Sequence, residues 1–141
     1  MKKYNGFIAA MLMLISLSGY AQRADSLSLK LMSKLVGTWT VQAETNNGKT
    51  VIWPDSAKMR TIKFRLDAHY IWTKGNQKLD SGLYRTNEDL SVVYLESVHD
   101  RSHPQEWVVE LKGKARLDLI GKKKSQFAGA KYECVKVADG L

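Results

Sequence analysis

A period-two alternation of apolar and polar residues, repeated along most of the chain and broken by turn residues, limits the fold more than any other feature. Successive side chains of a strand point to opposite faces, so a half-buried strand reads apolar, polar, apolar. Trp39, Val41 and Ala43 alternate in this way with Thr38, Thr40, Gln42 and Glu44. The pattern returns in Ile62, Phe64 and Leu66, in Tyr70 and Trp72, and in Leu90, Val92 and Tyr94. It continues in Trp107, Val109 and Leu111, in Leu117 and Leu119, and around Tyr132 to Val137. Between these runs stand Asn46-Asn47-Gly48, Lys74-Gly75-Asn76, Thr86-Asn87-Glu88-Asp89, Lys112-Gly113-Lys114 and the stretch 121–129, all rich in residues that turns prefer. Strands are expected at 37–44, 59–66, 69–74, 79–86, 90–97, 105–112, 114–120 and 130–138.

Short connections imply antiparallel neighbours. A closed barrel removes the exposed edges that an open sheet of this size has to protect. With eight strands, its interior is filled by side chains or holds one small ligand. The expected fold is therefore all-β, an eight-stranded up-and-down antiparallel barrel with a short N-terminal helix. Asp25 or Ser26 caps that helix, and Leu27, Leu31, Met32 and Leu35 recur at its 3-to-4 spacing.

Residues 1–21 read as an export signal. Lys2 and Lys3 supply the positive end, Phe7 to Leu17 the apolar stretch, and Gly19-Tyr20-Ala21 the small residues before a cleavable bond. The apolar run is far shorter than the roughly 20 residues a membrane-spanning helix needs. One barrel domain, 22–141, is expected to work outside the cytoplasm, in the periplasm or extracellular space, with no transmembrane segment after cleavage.

At 44% apolar and 26% charged residues, the composition excludes a disordered chain. Cys134 is the single cysteine, which excludes an internal disulfide framework and a thiolate zinc cluster. On a late strand it reads chiefly as a small buried hydrophobe, with a reactive thiol or an intermolecular bridge as the alternatives. The sequence holds no G-x-S-x-G, H-E-x-x-H, P-loop or G-x-G-x-x-G motif, so no catalytic residue, enzyme activity or cofactor is expected. Glu88 and Asp89 read as solvated turn carboxylates rather than a general acid and base. His99, Asp100 and His103 cluster within five positions, but Pro104 places them in a loop and no metal site is expected. Basic residues do surround Trp72 and Trp107, as in a base-stacking platform. Both tryptophans nevertheless sit at apolar positions of strands, and nucleic acid is not an expected partner.

Leu35-Val36-Gly37-Thr38-Trp39, a G-x-W opening the first strand after a short helix, resembles the start of a lipocalin. Phe64-Arg65-Leu66-Asp67-Ala68-His69-Tyr70, followed by Gly82-Leu83-Tyr84, is similar to the F-x-x-D-G-x-Y and G-x-aromatic runs of short bacterial lipocalin-like domains. Ala68 stands where that family usually has a turn glycine. The resemblance implies a calycin-type barrel that binds a small apolar or amphipathic molecule. It also implies a late-strand cation over the G-x-W tryptophan, with Lys131, Lys136 and Arg116 as candidates. Physically, Gly37 lets the chain turn tightly from helix to strand and Trp39 plugs the narrow end of the barrel.

If Trp39 marks the closed end, alternate connections gather at the open one. Trp53 and Pro54, Lys74 to Lys78, Val98 to Pro104 and residues 121–129 then share one rim. Residues 111–141 carry eight Lys and Arg against three acidic residues, densest at Lys122-Lys123-Lys124. A mouth of one sign attracts ligands of the other. Trp53, Tyr70, Trp72, Trp107, Lys122, Lys123 and Lys124 are the expected ligand contacts, and the expected ligand has an apolar body and an anionic head, such as a fatty acid. The alternative is a ligand-free structural or protein-interaction module of the cell envelope.

Overall fold

The computed structural model describes residues 30–53 and 59–139. The export signal at 1–21, the cap residues Asp25 and Ser26, Leu27 and Pro54 lie outside the described residues. Nine strands form one antiparallel sheet among them: β1 (Gly37–Asn46), β2 (Lys49–Ile52), β3 (Arg60–Phe64), β4 (His69–Lys74), β5 (Gln77–Asn87), β6 (Val92–Ser97), β7 (Gln105–Leu111), β8 (Arg116–Gly121) and β9 (Ala130–Ala138). β1 and β3 to β9 are neighbours in chain order, and β1 also pairs with β9. The result is a closed eight-stranded up-and-down barrel, as the alternation predicts.

β2 is the departure. Asn47 and Gly48 both have positive φ, 48° and 81°, the geometry of a two-residue hairpin turn that suits an Asn-Gly pair. The turn folds β2 back on the far half of β1, on the same edge that β3 occupies along the near half. Ala43 faces Ile52 and Thr40 faces Thr61, so only Val41 and Gln42 of β1 lie between the two pairings on that edge. Residues 45–58 read as a loop in the sequence because every residue of β2 is exposed and alternation has nothing to report there.

Inward side chains fill the barrel from its closed end. Trp39, Val41, Ile62, Phe64, Tyr70, Leu95, Leu117 and Leu119 are completely buried, joined by Leu31 and Leu35 of the helix, which is described over residues 30–35. Leu111, also expected inside, is half-buried. Leu66 is exposed because β3 ends two residues before it.

In β6 the expected register is off by one. Val93 and Leu95 enter the core cluster, whereas Tyr94 lies on the outer face under the Arg85 guanidinium, 4.0 Å from its ring centroid, and Leu90 is exposed. The run Leu-Ser-Val-Val-Tyr-Leu offers two apolar sets one residue apart. Tyr94 tolerates the outside because a cation covers its ring, and Arg85 also pairs with Glu96 at 3.2 Å on that face.

The closed-end turn before β4 holds Ala68 at φ 64°, a left-handed conformation that costs an L-residue roughly 1–2 kcal/mol. Its carbonyl accepts the Tyr84 amide at 2.8 Å, so neighbouring structure fixes the conformation. Ala68→Gly is expected to raise stability by up to about 1 kcal/mol, the relief of strain less the added backbone freedom of the unfolded chain. Urea unfolding checks it, and a lowered midpoint would contradict the strain.

Above the same turn the Tyr84 hydroxyl donates to the Arg65 carbonyl at 2.7 Å. Burial, and then the Asp67 carboxylate, pushes that hydroxyl from its ordinary 10 up to about 12. Because the folded value exceeds the unfolded one, the unfolded chain loses its proton first. The stabilisation is complete below pH 10 and falls as pH rises from 10 towards 12. Tyr84→Phe should cost about 1 kcal/mol at neutral pH through the lost hydrogen bond. It should also remove this residue's share of the alkaline decline, measured as urea midpoints against pH.

Candidate functional site

Strand polarity sorts the connections between two ends. The turns at 65–68, 88–91 and 112–115 lie with the helix at the closed end, and 47–48, 75–76, 98–104 and 122–129 lie at the open one.

At the closed end Trp39 is fully buried, and its indole N–H donates to the Leu35 carbonyl at 2.7 Å, tying the barrel to the last turn of the helix. Lys136 supplies the cation over its ring, Nζ 5.4 Å from the centroid, which decides among the three late-strand candidates. Gly37 has φ 137°, and a Cβ there would stand 2.6 Å from Lys136 Cε and 2.8 Å from the Ala138 carbonyl. Only glycine lets β9 and its lysine approach so closely. Gly37 and Trp39 thus occupy the plug position.

At the open end the core stops short of the rim. Trp72, Trp107, Phe127 and Tyr132 line a hollow of about 140 Å³ together with Leu79, Arg60, Asp80 and Gln105. The rings pack on one another, Trp107 lying 5.1 Å from Phe127 and 5.2 Å from Tyr132, and Trp72 5.5 Å from Tyr132, centroid to centroid. Such tilted pairs favour fixed ring positions. The Trp107 indole N–H donates to Gln105 Oε1 at 3.3 Å. This is the aromatic mouth.

Two further hollows flank it. One, of about 490 Å³, is lined by Trp53, Arg60, Glu44 and the β1–β2 hairpin. The other, of about 780 Å³, lies between the 98–104 and 122–129 loops and is lined by His103, Lys122, Lys123, Lys124 and Phe127 among others. Arg60 is the wall shared by the mouth and the first hollow, and Phe127 the wall shared by the mouth and the second.

The expected contacts therefore divide. Trp72 and Trp107 face the mouth together. Trp53 is half-buried in the first hollow, its backbone N–H donating to the Gln42 carbonyl at 2.9 Å. Lys122, Lys123 and Lys124 share the second hollow, where Lys122 pairs with Glu106 at 2.6 Å and the carboxylate raises its pKa. Tyr70 lies apart from all three. It is fully buried, and its hydroxyl donates to Asp80 Oδ2 at 2.8 Å, below the mouth.

Arg60, Asp80, Phe127 and Tyr132 were not among the expected contacts. A signal existed for two of them. Arg60 occupies an inward position in line with Ile62 and Phe64, where a charged residue needs a reason. Phe127 is the lone aromatic in a basic turn segment. Asp80 sits beside an irregularity in the β4–β5 pairing, so alternation does not give its face. It accepts from Tyr70, from Ser97 Oγ at 2.6 Å and from the Ser81 amide at 2.8 Å.

Cys134 is buried with a free thiol, and burial raises its pKa, which makes it a poor nucleophile. His103 lies 3.1 Å from Asp100, but among the described residues no group of three or more His, Cys, Asp or Glu is placed to hold a metal. No helix among them is long and apolar enough to cross a membrane. No family model, curated protein or solved structure matches the chain.

Proposed function

We propose that the protein is a lipocalin-like carrier that binds a small apolar or amphipathic molecule outside the cytoplasm, in the aromatic mouth rather than in the depth of the barrel. The observation that carries this reading is the convergence of four aromatic rings with Arg60 and Asp80 around a hollow, in a barrel whose remaining interior is filled. Apolar walls with a few convergent polar groups are what small-molecule sites share. The G-x-W opening at Gly37 and Trp39 adds the family resemblance, and the signal-like residues 1–21 add export. The buried side chains of the lower barrel favour a compact molecule over a long acyl chain. Lys123 and Lys124, beside the mouth, favour one that carries negative charge.

Native mass spectrometry of the protein purified from its own host tests this. The expected result is a chain beginning at Gln22 with a small molecule attached, and loss of that molecule in Trp72→Ala. Attraction by the rim lysines weakens with salt, the Debye length being about 10 Å at 0.1 M.

A second reading, a protein-interaction module of the envelope, has one observation in its favour. Among the described residues β2 pairs only with β1, and it exposes Val51 and Ile52, 48% and 71% accessible, on its outer edge. Such edges pair readily with other chains. An empty barrel with a co-purifying protein would transfer the proposal to that edge.

A further inference from the structure

The polar groups of the mouth differ in how fully they are used. Asp80 already meets three donors, from Tyr70, Ser81 and Ser97. Arg60 is the group left short. Its Nε is buried and has no acceptor among the described residues. Its Nη1 reaches Tyr132 Oη at 3.4 Å and Glu44 Oε2 at 3.7 Å, both longer than the 2.7–2.9 Å of a charge-assisted hydrogen bond. A guanidinium carries five N–H donors in a rigid fork, so among the described residues most of its capacity is unspent. Trp53, which lines the flanking hollow with Arg60, likewise buries an indole Nε1 with no acceptor among the described residues.

A guanidinium in the mouth wall that is short of close acceptors calls for a ligand that brings them. A cationic guest, which aromatic walls would otherwise suit, meets the Arg60 charge in the same hollow and finds Asp80 occupied. Size limits the rest. At about 140 Å³ the mouth is below the 300–1,000 Å³ of drug-sized sites and of the order that admits one benzene ring.

We infer that the mouth takes a compact planar carboxylate, its ring against Trp72, Trp107 and Tyr132 and its carboxylate on the Arg60 fork. This rests on the mouth-binding reading and gives it a ligand class. The planar fork matches a carboxylate in a way that a lysine in the same place does not.

Benzoate and benzyl alcohol share a ring and differ in charge, so they separate the anchor from the pocket. Indole N–H shifts of Trp72 and Trp107 followed by NMR titration report binding of each. The expected result is benzoate tighter by at least about tenfold, the least a charge-assisted pair supplies. That preference should vanish in Arg60→Met and fall in Arg60→Lys. Benzyl alcohol binding should change far less than benzoate binding in both, so the ratio of the two affinities reads the charge anchor apart from the shape of the pocket. Equal binding of the two probes to the unaltered protein would overturn the carboxylate assignment and leave the mouth reading standing. So would a benzoate preference untouched by Arg60→Met. Failure of both probes to shift the two indoles would overturn the mouth reading and this inference with it.

Discussion

Trp39→Ala is expected to lower the unfolding free energy by about 3–5 kcal/mol, the range for truncating a buried aromatic. The upper part of that range applies because three things are lost together. The indole fills the closed end, its N–H satisfies the Leu35 carbonyl, and its face carries Lys136. The surroundings have little room to collapse, since Gly37 and β9 already touch across the same site and cavities that cannot collapse cost most. Trp39→Phe should recover part of the loss, since a ring stays in the site while the hydrogen bond, worth about 1 kcal/mol, and the volume of the pyrrole ring are lost. Guanidinium unfolding measures both, and an unchanged midpoint for the alanine variant would mean that the closed end does not depend on this residue.

The second large effect is expected at the other end. A Cβ added to Gly121 would overlap the carbonyl group of Phe127 and press on its Cβ at 3.1 Å. The obstacle is backbone, so no rotamer change relieves it. Either β8 or the 122–129 loop has to move, at a cost of about 1–3 kcal/mol for an overpacked site. The loop is the softer of the two, being held by single-turn hydrogen bonds such as Ala128 N–H to Ser125 O at 3.1 Å. Gly121→Ala should therefore lift Phe127 off Trp107 as well as destabilise the fold. A lower unfolding midpoint together with altered near-ultraviolet circular dichroism of the tryptophans is the expected pair of observations. Loss of stability with an intact tryptophan signal would place the strain in β8 instead.

The barrel was legible in the sequence wherever one face of a strand is apolar and the other polar. Residues 37–44 and 105–111 are of this kind, because inside and outside differ enough for alternation to report the face. It failed where that contrast fades. β2 is exposed on both faces, and the Val-Val-Tyr-Leu run of β6 is apolar on both. The plug was legible because glycine and tryptophan at that spacing perform one steric task. Its cation was not, since three basic residues lie near enough along the chain and only the β1–β9 register selects Lys136. Half of the mouth followed the same logic. Trp72 and Trp107 are strand residues at inward positions, whereas Phe127 arrives from a loop, and Arg60 and Asp80 break the apolar rule that identifies the inside. Polar residues facing inward are where alternation is silent and binding chemistry is most concentrated.

The β1–β9 pairing runs from Thr38 opposite Ala138 to Asn46 opposite Ala130. The barrel's seam therefore joins the earliest strand to the latest, and its closure cannot be rehearsed by local contacts. Folds dominated by such distant pairings form on the millisecond-to-second scale rather than in microseconds. Until β9 arrives, β1 and β8 each offer a bare edge to any other extended chain. A chain cut before residue 130 would keep every hairpin but the last, β8–β9, and lose the ring, exchanging a self-contained molecule for an open sheet with two adhesive borders.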